Sequence, residues 1–235
     1  RSLRMSRLRS AFLLYPFVLC CCLFYTALGS TDANKKVSVL ESTFESAVTD
    51  LQWLGHDHRV VFLKTRNGRL YRSTDSGRVW NDATHHLQGS GEDGRELFVE
   101  DIMVNSADKN IALVACSGKE HFITSDGGRT FHQIDHSGNI HNWIFHPTQP
   151  HFALMSRWTE GCKKADRSGC SHELYVTKNL GRSFSLVANY VVQFGWGDVK
   201  HHGSRHHDRV FFTHHRSKRG EQLKHGKWME DVDFA

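Results

Sequence analysis

From residue 48 onward the chain alternates short apolar runs with polar, turn-forming stretches. The runs at 48–53, 60–64, 70–73, 99–104, 111–115, 121–124, 140–145, 151–156, 173–177, 192–196 and 209–213 are of strand length and rich in β-branched and aromatic residues. Gly, Asn, Asp and Ser cluster between them, and Asn67-Gly68 between two apolar runs is a strong hairpin signal. The residues from His146 to Pro150 separate the runs at 140–145 and 151–156 in the same way.

An internal repeat organises these strands. Segments 70–80 (LYRSTDSGRVW), 121–131 (HFITSDGGRTF) and 174–184 (LYVTKNLGRSF) align without gaps. Their shared core is Ser/Thr-x-Asp/Asn-x-Gly-Arg-x-Trp/Phe, with the acid or amide at Asp75, Asp126 and Asn179, spaced by 51 and 53 residues. The elements of the pattern are Ser73, Asp75, Gly77 and Trp80, then Thr124, Asp126, Gly128 and Phe131, then Thr177, Asn179, Gly181 and Phe184. An Asp or Asn at this place accepts hydrogen bonds from the amides of the following turn, Gly supplies a positive φ, and the aromatic residue opens the returning strand. This is the Asp-box hairpin, a folding device. Each box is preceded by two further strands, so each repeat reads as four short strands, the unit of a propeller blade. The expected fold is all-β, a partial β-propeller of about three and a half blades over 30–213, with 214–235 as a polar tail and truncation point, so that the chain reads as a fragment.

The formal net charge of +5 changes little. Arg1, Arg4, Arg7 and Arg9 precede an uncharged apolar run from Ala11 to Leu28, and no acid occurs in 1–29. Without that segment 26 basic side chains face 25 acidic ones, so no nucleic-acid partner is indicated. Residues 1–29 read as a secretory signal with a cleavage site after Gly29; an uncleaved signal anchor is the other reading of the same run. Cys20, Cys21 and Cys22 lie in the signal, which leaves Cys116, Cys162 and Cys170. Cys162 and Cys170 flank a polar loop and are the disulfide candidate, worth about 2.5 kcal/mol for so short a ring. Two reduced thiols are the alternative. Cys116 is left as a small buried hydrophobe or as the partner of a cysteine elsewhere.

The blade pattern as a whole resembles the Vps10 domain of the sortilin family of sorting receptors. The resemblance covers roughly 40–213 and rests on the three boxes at blade-length spacing, the WIFHP stretch at 143–147, the loop between Cys162 and Cys170 ahead of the third box, and the NYVVQFGW stretch at 189–196. It implies a single-span receptor with a ten-bladed luminal propeller that binds protein or peptide cargo and carries it between Golgi and endosome. Membrane association would come through a span after the propeller, which this chain lacks along with the Cys-rich module and the cytosolic tail.

The residues offer little enzyme chemistry. A sialidase-like glycosidase shares the box but usually carries an Arg-Ile-Pro stretch ahead of the first one, and the only prolines after the signal are Pro147 and Pro150. A carboxylate pair facing across a cleft is the other requirement. Glu100 and Asp101 are adjacent on a strand and are expected on opposite faces, one solvated and one structural. No cofactor, metal site or nucleophile is indicated, and ligand-contact residues stay unassigned. A secreted structural or adhesion propeller is the third reading. The 18 histidines, with pairs at His201-His202, His206-His207 and His214-His215, read as a solvated composition bias; a softer idea is that acidification protonates several of them and weakens cargo binding. Arg78, Arg129 and Arg182 follow the box glycines and are expected on solvated outer turns.

Overall fold

A computed structural model of the chain describes residues 39–87, 97–117, 119–134, 139–159, 170–197 and 209–215, together with the backbone of 233–234. The chain divides into two compact units, Arg1–Ser42 and Thr43–Ala235. In the first only 39–42 are described, and they are exposed; the signal reading of 1–29 lies outside the described residues.

The second unit is built from consecutive antiparallel sheets. The first contains β1 (Val48–Leu54), β2 (Val60–Thr65), β3 (Leu70–Ser73) and β4 (Asn81–Asp82), in spatial order 1-2-3-4. The second repeats that order with β5 (Val99–Val104), β6 (Ala112–Cys116), β7 (His121–Thr124) and β8 (His132–Gln133). The third does so with β9 (Asn142–Phe145), β10 (Ala153–Trp158), β11 (His172–Thr177) and β12 (Ser185–Ala188). A fourth sheet holds β13 (Val191–Trp196), β14 (Val210–His214) and β15 (Asp233–Phe234). Four-stranded meanders joined in sequence, each packed on the next, make an all-β partial propeller. Among the described residues the helical content is one 3₁₀ turn, Thr84–His86.

Both faces of the middle blades are buried, and the strand alternation sorts side chains between junctions. In β6, Ala112, Val114 and Cys116 face blade 1, where they meet Leu54, Phe62 and Leu70. Ile111 and Leu113 face the other way, toward Trp143, Ala153 and Met155 of blade 3. In β10 the sides change again, and Leu154 joins Leu174 and Val191 in the junction with the fourth sheet. Outside the ladder, Phe44 packs edge-on to Tyr71 and Trp80 at ring separations of 5.1 and 5.7 Å.

Three expectations are corrected here. Glu100 and Asp101 do not divide between a solvated and a structural face, because both are exposed. The register passes from Val99↔Cys116 to Asp101↔Ala115, so Glu100 is the extra residue of a β-bulge and strict alternation fails there. Nor does strand pairing stop at residue 213: β15 pairs antiparallel with β14, Phe234 opposite Thr213 and Asp233 opposite His214. The returning strands also begin one residue after Trp80, Phe131 and Phe184.

Candidate functional site: the repeated turns and the cleft of blade 1

The three box turns share one hydrogen-bond scheme. In the first, the Ser73 hydroxyl donates to Asp75 Oδ1 at 2.7 Å and accepts from the Gly77 amide at 2.9 Å. Asp75 Oδ1 also accepts from the Arg78 and Val79 amides at 3.0 and 2.9 Å. In the second, Thr124 Oγ1 donates to Asp126 Oδ1 at 2.9 Å and accepts from Gly128 N at 2.8 Å, while Asp126 Oδ1 takes the Arg129 and Thr130 amides. Asp126 Oδ2 adds the Thr130 hydroxyl at 2.7 Å. In the third, Thr177 Oγ1 donates to Asn179 Oδ1 at 3.0 Å and takes Gly181 N at 2.9 Å. Asn179 Oδ1 accepts the Ser183 amide, and its Nδ2 donates to Ser183 Oγ at 2.8 Å. The Arg182 amide turns instead to the Asn179 backbone carbonyl at 3.4 Å.

Electrostatics follow from these contacts. The Asp75 carboxyl sits below its ordinary range because the Val79 amide, the Ser73 hydroxyl and the Arg78 amide all bond its charged form. For Asp126 burial pushes upward, and the bonds from Thr130, Thr124 and Arg129 outweigh it, so the net shift is again downward. The polar atoms that recur in the boxes are thus engaged with their own turns.

Three features of the site go beyond what the sequence pattern specifies. The first is the role of the Ser/Thr hydroxyl, a residue the repeat marks, which closes each turn from a buried position. The second is the residue between the acid and the Gly: Ser76, Gly127 and Leu180 take φ of 62°, 67° and 56°, so each turn holds two successive left-handed residues. Its amide stitches the turn to the loop ahead of the blade's second strand, Ser76 to Arg59 O at 2.8 Å, Gly127 to Asn110 O at 2.9 Å and Leu180 to His151 O at 3.0 Å. The third is the neighbouring blade. Arg72 Nε of β3 donates to Gly127 O at 2.7 Å, and His132 Nε2 of β8 bonds Leu180 O at 2.9 Å. Phe131 stacks on Phe62 across the same junction at 6.1 Å, whereas Phe184 meets Trp143 of its own blade at 6.3 Å. Trp80, Phe131 and Phe184 are all half-buried.

The loops between the first and second strands, at the same end of the blades as the box turns, make further ties. Asn105, fully buried, donates from Nδ2 to Pro150 O at 2.8 Å and accepts the Ala107 amide at 2.8 Å. His146 Nδ1 accepts the Thr148 and Gln149 amides at 3.1 and 2.9 Å, and its ring lies 4.5 Å from that of Trp196. Trp196 Nε1 returns a bond to Ile144 O at 3.2 Å.

Arg78, Arg129 and Arg182 are exposed. A cleft of about 320 Å³ opens at the first box, lined by Arg59, Asp75, Ser76 and Arg78. Cys116 is buried and free, and burial raises its thiol to about 12. Cys170 is disulfide-bonded; Cys162 lies outside the described residues, as do His201, His202, His206 and His207. Of the remaining pair, His214 is half-buried and His215 buried. Among the described residues no three His, Cys, Asp or Glu side chains converge as a metal site.

Consecutive four-stranded meanders, each with an Asp- or Asn-closed hairpin between its third and fourth strands, define a partial β-propeller. The Sortilin-Vps10 family model, described as sortilin, neurotensin receptor 3, matches residues 68–233, and the chain belongs to that family. The vacuolar protein sorting/targeting protein 10 of Aspergillus fumigatus is 26% identical over 113 residues, covering 48% of this chain and 7% of that protein. The protein of the same name from Arthroderma otae is 25% identical over 170 residues, covering 65% of this chain and 10% of its own length. The chain therefore spans a tenth or less of these curated relatives. Among solved structures, YCF48 from Cyanidioschyzon merolae is similar with a TM-score of 0.40 and 19% identity, over 61% of this chain and 38% of that one; a superposition of that quality carries no functional assignment.

Proposed function

We propose that this chain supplies luminal, cargo-binding blades of a sorting receptor that moves soluble proteins from Golgi to endosome or vacuole, and that it performs no catalysis. The match to the Sortilin-Vps10 family over 68–233 carries this reading. Relatives named for vacuolar protein sorting support it. So does the use of the box side chains on their own turns, which leaves them a structural role. In this reading 1–29 directs the chain into the lumen, Cys162 is the partner of Cys170, and the cargo is a protein or peptide.

The test is cellular. Disrupting the coding sequence in its source cell is expected to divert soluble vacuolar or lysosomal hydrolases to the medium. Hydrolases retained at wild-type levels would count against the sorting role. Turnover of glycoside substrates by the purified chain, abolished by mutating an acid, would count against the non-catalytic part.

A further inference from the structure

The three box turns are alike in backbone and unlike in what occupies them. At blades 2 and 3 the carbonyl of the left-handed residue receives a side chain from the preceding blade, Arg72 at Gly127 and His132 at Leu180. Gly127 and Leu180 are buried accordingly, while Ser76 at the first turn is exposed. The loop residue stitched to the turn also differs: it is Asn110 in blade 2 and His151 in blade 3, but Arg59 in blade 1. The open turn is thus the one that carries a second guanidinium.

Both arginines stand on fixed backbone. Ser76 N donates to Arg59 O at 2.8 Å, Ser76 Oγ to His58 O at 3.3 Å, Arg59 N to Asp57 Oδ1 at 3.2 Å, and Arg78 N to Asp75 Oδ1 at 3.0 Å. Neither guanidinium makes a hydrogen bond or ion pair with the described residues, in contrast to Arg69 and Arg157, which pair with Asp82 and Glu173. Asp75 offsets one of the two charges, so the four lining residues keep a net positive charge, while Asp57, outside the lining, is engaged with the Arg59 amide. Two planar guanidinium forks match a carboxylate.

We propose that the cleft between Arg59 and Arg78 binds a side-chain carboxylate of an extended acidic segment in a protein partner. That the partner is cargo rests on the sorting function proposed above.

The 235-residue chain is titrated with the capped peptide Gly-Glu-Gly-Glu-Gly and with its glutamine counterpart, followed by NMR on the arginine Nε–Hε groups and the Ser76 and Val79 amides. The glutamate peptide is expected to give saturable shifts and the glutamine peptide none. Arg59→Gln and Arg78→Gln are each expected to weaken binding about 3- to 5-fold, the scale of an exposed ion pair, while Arg129→Gln and Arg182→Gln change nothing. Should Arg59→Gln lose its dispersed spectrum, Arg59→Lys keeps the charge without the fork and is expected to fall between the two. Equal shifts from both peptides, or an equal loss at Arg129→Gln, overturn the site. Competition by inorganic phosphate at concentrations where acetate is inert overturns the carboxylate assignment. If Arg59→Gln weakens peptide binding as expected while hydrolase retention in cells is unchanged, the cleft stands and its use for cargo falls. If disruption of the whole gene leaves hydrolases in place, the sorting function itself falls.

Discussion

At the scale of single residues, the boxes differ in how much their neighbours constrain them. A Cβ on Gly128 would lie 2.3 Å from the Phe62 ring at a φ of +77°, but one on Gly77 meets only its own Trp80 at 3.3 Å. Gly128→Ala is therefore expected to cost about 2–4 kcal/mol, from overpacking plus left-handed strain. Gly77→Ala should cost about 1–2 kcal/mol, from strain alone, and urea midpoints compare the two. Protonation separates the boxes as well. Asp126 has a folded pKa below its reference of 3.8, so its contribution is complete above that value and is lost as pH falls through the folded pKa. Asn179 has no such charge to lose. Asp126→Asn should flatten the stability profile below about pH 4 without unfolding the chain at neutrality. Burial holds His121 near 4, and its two ring nitrogens face the Cys116 and Ile140 amides, each at 3.3 Å. A neutral ring satisfies one of these donors and a protonated ring neither. Its stabilising effect is complete above the reference pKa of about 6.5 and declines from there as pH falls to the folded value, a loss of about 3 kcal/mol. Chemical denaturation at pH 7 and pH 4 should show that loss in the native chain and not in His121→Gln.

Elements were legible wherever one pattern governed them. The strands β3, β5 and β7 occupy the spans expected from apolar runs, and the box turns lie at the repeat. The failures have physical causes. Period-two reasoning places Glu100 and Asp101 on opposite faces, and a single inserted residue at the bulge exposes both. The cross-blade donors Arg72 and His132 are ordinary polar residues on strands, and their partners are carbonyls of another repeat, so no local pattern marks them. Asn105 and His146 occupy equivalent loop positions yet act through different chemistry, an amide and an imidazole, which hides the equivalence from composition. Asn105→Ala is expected to cost about 1–2 kcal/mol by stranding the half-buried Ala107 amide and Pro150 carbonyl. Asn105→Asp keeps the acceptors and loses the donor, so faster hydrogen exchange at the 151 and 152 amides with an unchanged 105–111 loop would isolate the tie between blades.

At the scale of the molecule, each blade is stabilised mainly by the next, so perturbations should spread by junction. Phe62 is fully buried between blades 1 and 2, and Phe62→Ala is expected to cost about 3–5 kcal/mol and to increase exchange in β5–β8 before β13 and β14. The handover of Arg72 to Gly127 and of His132 to Leu180 also has a direction: in both cases the later hairpin is completed by a side chain made earlier. A polypeptide leaving the ribosome would always have its completing group already synthesised when the next hairpin emerges, and the assembly would grow like a zip drawn from the amino terminus. Stalled nascent chains ending just past Arg182 should then resist protease through the second hairpin, whereas the same hairpin made without its predecessor should be cut.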